Sequence, residues 1–398
     1  MNWIRGVLGA YRLLPRIVWW LLFFQFLVSA THFMAIPLLA LHMADRLGFG
    51  GVALGTVLSM HLVSARVFPM LTGPLADRFG PRILMLAGLL ARALGLFGFA
   101  ALTDWILLSL SALVMGFGMA AYESAVYGAF ARYPPSSATR AFVLSNQALN
   151  FGVIVGPALG AGLLELGATY AFGASGVVFL ILTCATVRQP RLAIASENHV
   201  PVRHSLSALL SDRTSLWLFV VCLPWWFLFS QLYVVFPLHA AQLSGEATGA
   251  SLVFLVNGLA GSCFVIIGIL VFEGLRSITV ISLCYAVLVP AYLLAGATQG
   301  LGWFLGFVCL YTLAETLILP AIRSTAATLA APGHESTFQG LQSLSWAVGG
   351  SVGFYVGGWF VLNAPTVWWW SLFSLIAAIG CGSTLLFTRK RSLSVAGR

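Results

Sequence analysis

Long apolar stretches alternate with short polar ones along almost the whole chain. In order they run at about 17–43, 51–72, 82–102, 105–130, 142–165, 169–187, 216–241, 250–272, 277–298, 301–323, 338–362 and 366–388. Each is close to the ~20 residues that a helix needs to cross the hydrocarbon core of a bilayer. None shows the residue-by-residue alternation of a membrane β-barrel. The pattern therefore predicts an all-α membrane protein with twelve transmembrane helices. The longest polar interruption, 188–215, falls at the midpoint and contains Pro190, Glu197, His199, Pro201, Arg203, Asp212 and Arg213. It reads as a cytoplasmic linker between an N-terminal six-helix bundle (1–187) and a C-terminal one (216–398). Its end, 204–216, suits a short interfacial helix or a plain solvated loop equally well.

The two halves share features in the same order, as expected of a transporter built from repeats. Pro37 corresponds to Pro237, Glu123 to Glu315, and the glycines 152, 156 and 160 to Gly349, Gly353 and Gly357. The three offsets are 200, 192 and 197 residues, close enough to one value to argue for a duplicated six-span unit.

Composition supports this pattern. Of 398 residues, 60% are hydrophobic and only 8% charged, too few charges to solvate a soluble globule. The net charge of +9 raises the question of nucleic acid, but its placement answers it. Arg5, Arg12 and Arg16, then Arg78 and Arg82, Arg132 and Arg140, Arg188 to Arg213, Arg276, Arg323 and Arg389 to Arg391 sit at the chain ends or after even-numbered spans. The opposite loops carry almost none, Arg46 excepted. Positive residues concentrate on the cytoplasmic side, so both termini are expected there, with the chain multi-pass in a cell (inner) membrane. Nucleic acid is not an expected partner; the lipid bilayer is. The six cysteines lie within or at the ends of apolar runs without a CxxC pair, which suits small packing residues. No GxxxxGK[ST] or GxGxxG string and no cluster with metal-ligand spacing occurs, so no cofactor, metal site or enzyme activity is expected. Trp19, Trp20 and Trp368 to Trp370 suit a membrane-interface belt.

The most specific string is Gly73-Pro74-Leu75-Ala76-Asp77-Arg78-Phe79-Gly80-Pro81-Arg82, between spans two and three. Gly73 lets helices approach closely, Gly80 supplies a turn, and Asp77 is an acid at a helix end where it can meet a neighbouring helix N-terminus. A tight positive-inside turn would explain the arginines but not the whole string. In span five, Gly152, Gly156, Pro157 and Gly160 form a small-residue face with a proline bend; simple helix packing is the competing reading.

These strings resemble two signatures of the major facilitator superfamily: the GxLADRxGxR loop and the GxxxGPxxG motif of its drug:proton antiporter branch. With Val348-Gly-Gly-Ser-Val-Gly353 and Leu210-Ser-Asp-Arg213, the whole chain is similar to the MdtH-like multidrug exporters. The resemblance implies two pseudo-symmetric six-helix bundles that rock about a central path. It also implies a gating role for Gly73, Asp77, Arg78, Gly80 and Arg82, which would clamp the outward-open state. Spans one, four, seven and ten would line the path. One departure stands out: many drug antiporters carry an arginine four residues before the glycine that here is Gly116, and this chain has Ala112.

Ionisable groups inside spans are costly and are functional candidates by default. Here they are Glu123, Glu315, Arg92 and Arg66, with His32 and His61. From the helix rise, Glu123 lies ~13 Å in from Arg132 and Arg92 ~15 Å in from Arg82, so a structural Arg92–Glu123 bridge competes with a transport role. Glu315 has no evident basic neighbour at its depth, and Arg66 reads as a snorkelling residue near the cytoplasmic end. His32, Gln231, Tyr122, Tyr233, Tyr311 and Trp226 complete the candidates for proton or substrate contact; packing roles are open for each. The expectation is a monomeric, proton-coupled exporter of small amphipathic compounds or drugs. A dedicated exporter of a metabolite such as a siderophore, or a substrate:proton importer, is the alternative.

Overall fold

The computed structural model describes residues 14–49, 51–164, 166–189, 213–245, 248–297, 300–330, 334–363 and 365–396. The central part of the midpoint linker, with most of its proposed interfacial helix, lies outside these residues, as do Arg5 and Arg12. The described elements are all helical: α1 Arg16–Leu41, α2 Gly51–Val67, α3 Pro69–Phe79, α4 Pro81–Ala101, α5 Trp105–Ala131, α6 Pro135–Leu164, α7 Ala168–Val187, α8 Arg213–Gln231, α9 Val235–Ser244, α10 Thr248–Cys263, α11 Val265–Gly274, α12 Ser277–Ala297, α13 Leu301–Leu329, α14 Glu335–Asn363 and α15 Thr366–Ala396. A π-helical turn, His42–Arg46, continues α1.

The twelve apolar runs are all present, three of them as broken helices. Span two divides into α2 and α3 at Phe68, where Pro69 opens the second piece because it has no N–H to donate to the first. Span seven divides into α8 and α9, and span eight into α10 and α11. Nine helices among the described residues are long and apolar enough to cross a membrane.

The helices form two compact units. One contains α1 to α7 with the first turns of α14, through Leu344; the other contains α8 to α13, the rest of α14 and α15. In the first unit α1 packs on α6 and α7, and α4 packs between α5 and α7. Phe99, Phe130, Phe142, Phe172 and Phe179 are buried there. The second unit has an aromatic centre in which Phe236, Tyr292, Phe304, Phe307, Tyr311 and Trp370 meet edge to face or stacked. The outer surface is apolar instead of charged: Phe23, Leu94, Ile106, Leu110, Ile181 and Trp368 are exposed, and Trp303 is 78% exposed. Such a surface suits lipid as solvent.

The structure corrects the aromatic belt. Trp19 and Trp368 are exposed, but Trp369 and Trp370 are buried in the second unit. A helix turns about 100° per residue, so three adjacent tryptophans cannot share an outward face.

The repeated glycines do the same job in each unit. A Cβ on Gly156 would stand 2.5 Å from the Ala30 carbonyl oxygen, so α6 lies directly on the backbone of α1. A Cβ on Gly353 would stand 2.6 Å from the Phe227 carbonyl oxygen, which places α14 on α8 in the same way.

Candidate functional site

Two polar constellations and one polar pair stand out against the apolar background. The first is built by α3. Gly80 ends it at φ +84°, a conformation that glycine adopts without strain, and Pro81 starts α4. This short helix presents Asp77, only 3% exposed, to the first turn of α14. Asp77 Oδ1 accepts from the Ser336 backbone N–H at 3.0 Å. Oδ2 accepts from the Thr337 N–H at 2.9 Å and the Thr337 hydroxyl at 2.7 Å. The first N–H groups of a helix lack partners within it and carry its positive end, so a carboxylate there satisfies both needs. Arg132 lies 3.7 Å from the same carboxylate and 3.9 Å from Glu335, tying the acids of both helices to one cation. Burial pushes the Asp77 carboxyl above its ordinary range, and the hydrogen bonds from Thr337 and Ser336 oppose that shift.

Gly73 is the necessary companion. A Cβ there would stand 2.6 Å from the Ser336 carbonyl oxygen, so a side chain would push α14 away from Asp77. The arginines of the string have different fates. Arg82 donates to the Val187 carbonyl at the C-terminus of α7, a favourable place for a cation. Arg78 is exposed and rests on the Phe79 ring.

The second constellation lies in the first unit. Arg66 of α2 pairs with Glu123 of α5 at 3.6 Å. This corrects two expectations: Glu123 bridges to Arg66 instead of Arg92, and Arg66 is a partner in an ion pair instead of a snorkelling end group. Arg92 is 2% exposed, with its guanidinium 4.6 Å from the centre of the Phe179 ring. His32 and His61 face each other at 5.7 Å between ring centres. Tyr122 is fully buried, and its hydroxyl has no hydrogen-bond partner.

The pair lies in the second unit. Asn257 Nδ2 donates to Glu315 Oε2 at 2.7 Å and to Thr312 Oγ1 at 3.0 Å. Glu315 is thus held by a neutral amide, where Glu123 is held by a guanidinium. Near it Tyr311 stacks on Trp225, and Tyr233, 52% exposed, continues a row of rings from Phe229 to Phe254. Trp226 donates to Ser345 Oγ at 3.0 Å and is held between Phe229 and Trp346. Gln231 is completely buried, and its Nε2 donates to Phe227, Ser230 and the Gly353 carbonyl. The structure gives it a packing position between α8 and α14. Gly152, Gly156 and Gly160 line the α1 contact, while Pro157 faces outward.

Sequence reasoning missed Ser336, Thr337, Arg132 and Asn257 as partners. Asn257 was visible as a lone amide in an apolar run. The Ser336–Thr337 pair directly follows Glu335, a common helix-start pattern, but nothing local connects it to a residue in α3.

The Major Facilitator Superfamily family model matches residues 21–354. The multidrug resistance protein MdtH of Aeromonas hydrophila is 27% identical over 368 residues, spanning 85% of this chain and 86% of its own length. That of Photorhabdus laumondii is 24% identical, spanning 89% and 90%. Among solved structures, the human organic anion transporter MFSD10 superposes with a TM-score of 0.75 at 18% identity, covering 93% of this chain and 99% of its own. The Escherichia coli fucose:proton symporter FucP gives 0.75 at 15% identity, covering 95% and 98%. The all-helical fold, its apolar spans and the family match together make this chain a multi-pass secondary transporter belonging to the Major Facilitator Superfamily.

Proposed function

We propose that the chain exports small amphipathic compounds in exchange for protons, with Glu315 as the proton-carrying group. The observation that carries this reading is the different company of the two span acids. Glu123 has a permanent cation, the Arg66 guanidinium, as its partner at 3.6 Å. Among the described residues Glu315 is partnered by a neutral amide, so it can meet either a proton or a cationic group of the substrate, one excluding the other. Such exclusion is what an antiporter requires. The printed name of the relatives, multidrug resistance protein, supports export of drug-like compounds.

In this reading two six-helix bundles, with both termini cytoplasmic, rock about a central path in a monomer. Asp77 and Gly73 form a latch on α14, while Gly80 and Arg82 set the turn and anchor that present it. Arg78, exposed and resting on the Phe79 ring, serves orientation in the membrane. The test is substrate-induced proton movement in proteoliposomes carrying a pH dye. Glu315→Gln is expected to abolish the proton signal, while Glu123→Gln impairs transport without uncoupling it. Retention of the full proton signal in Glu315→Gln sinks the assignment.

A further inference from the structure

We propose that the first unit holds a binding site for a carboxylate, centred on Arg92, and that the transported compound bears such a group. Five helices converge here: His32 comes from α1, His61 and Arg66 from α2, Arg92 from α4, Tyr122 and Glu123 from α5, and Phe179 from α7. These charged and polar groups are close enough to interact electrostatically.

The charges do not balance. Two guanidinium groups share one carboxylate, Glu123, and the structure commits that carboxylate to Arg66. Arg92 has no ion pair or hydrogen bond among the described residues, although it is 98% buried. Its Nε and the Tyr122 hydroxyl are buried without partners, and so are the Nδ1 atoms of His32 and His61. A buried cation without a counter-charge is expensive. The Phe179 face offsets only part of that cost, and it also fixes the plane of the guanidinium.

An anionic group from the cargo would supply what is missing. A carboxylate offers two oxygens to a planar fork of N–H donors, with lone pairs left for a phenol hydroxyl and an imidazole N–H. Arginine suits this better than lysine, because its fork matches the planar anion and its charge does not titrate. His32, His61 and Arg66 are partly exposed, so the cluster is not sealed from solvent on that side. Among the described residues no acid forms an ion pair with Arg92, which leaves the position available to a ligand.

That the ligand is cargo rests on the exporter reading; that the site binds an anion does not. The test separates the two by measuring binding alone. Purified full-length protein is titrated with dansyl-phenylalanine and with its methyl ester, which share the aromatic body and differ in the carboxylate charge. Binding is read by energy transfer from the chain's 13 tryptophans to the dansyl group. The acid is expected to bind about tenfold more tightly than the ester, and Arg92→Gln to reduce that preference to about twofold or less. Equal affinity of wild-type protein for acid and ester overturns the site without any variant. So does an Arg92→Gln protein, folded by its elution profile, that keeps the preference. Should Arg92→Gln fail to fold, Arg92→Lys retains a charge but loses the fork, and its preference is expected to fall to about threefold. An undiminished preference there overturns the assignment of Arg92.

Discussion

The carboxylate of Asp77 binds the backbone and hydroxyl of Thr337, 260 residues further along the chain. Asp77 thereby acts as an N-terminal cap that a helix receives from elsewhere in the sequence. Asp77→Asn keeps the shape but turns one acceptor into a donor facing N–H groups, so transport is expected to fall by about tenfold or more while membrane insertion is unchanged. Thr337→Val removes only the hydroxyl bond and should cost about 1 kcal/mol, a smaller effect. Efflux rates of the two variants, normalised to inserted protein, check the order. Equal rates for wild type and Asp77→Asn would remove the latch.

The Arg66–Glu123 pair predicts a pattern in stability. Removing either partner leaves the other without its ion-pair partner inside the span, and each single neutral variant, Arg66→Met or Glu123→Leu, should cost about 1–3 kcal/mol, discounted because Arg66 is partly exposed. The double variant should recover most of the loss, since two apolar side chains replace two charges. Thermal unfolding in detergent reads this directly. A double variant less stable than both singles would show that the pair is not the structural unit.

Close helix contact predicts a different kind of sensitivity. Gly156→Val would place new atoms where the Ala30 carbonyl oxygen already stands 2.5 Å from a Cβ, and backbone cannot yield as a side chain can. A loss of about 1–3 kcal/mol is expected. Gly162, with nothing within 4 Å of a built Cβ, is the control, and Gly162→Ala should be neutral. Comparable losses at both positions would refute the packing role of the glycine face.

The spans and the turn in the Gly73–Arg82 string were legible in the sequence because their signals are local. A 20-residue apolar run is visible without any partner, and the position of Gly80 before Pro81 marks a turn. The partners were not legible, because each depends on which helices lie side by side. Glu123 and Arg92 sit at matching depths on consecutive spans, and α2 and α4 both pack against α5, yet Glu123 meets Arg66 of α2 while the Arg92 guanidinium lies over Phe179 of α7. Trp369 and Trp370 failed for a related reason. Composition marks tryptophan as an interface residue, while the face on which it falls is set by helix rotation.

Gln231 supplies the last prediction. It was a candidate for contact with the transported compound, but its Nε2 is used on the Gly353 carbonyl at 3.0 Å, on Phe227 and on Ser230, within a fully buried contact. Gln231→Leu would leave the Gly353 carbonyl without that donor, an expected cost of about 1–2 kcal/mol in stability. Because the side chain is sealed between helices, the ranking of compounds by efflux should be the same in variant and wild type, with all rates lowered together. Unfolding curves measure the first effect, and an efflux panel of cationic, neutral and anionic compounds measures the second. A changed ranking with unchanged stability would return Gln231 to the substrate path and make its packing position secondary.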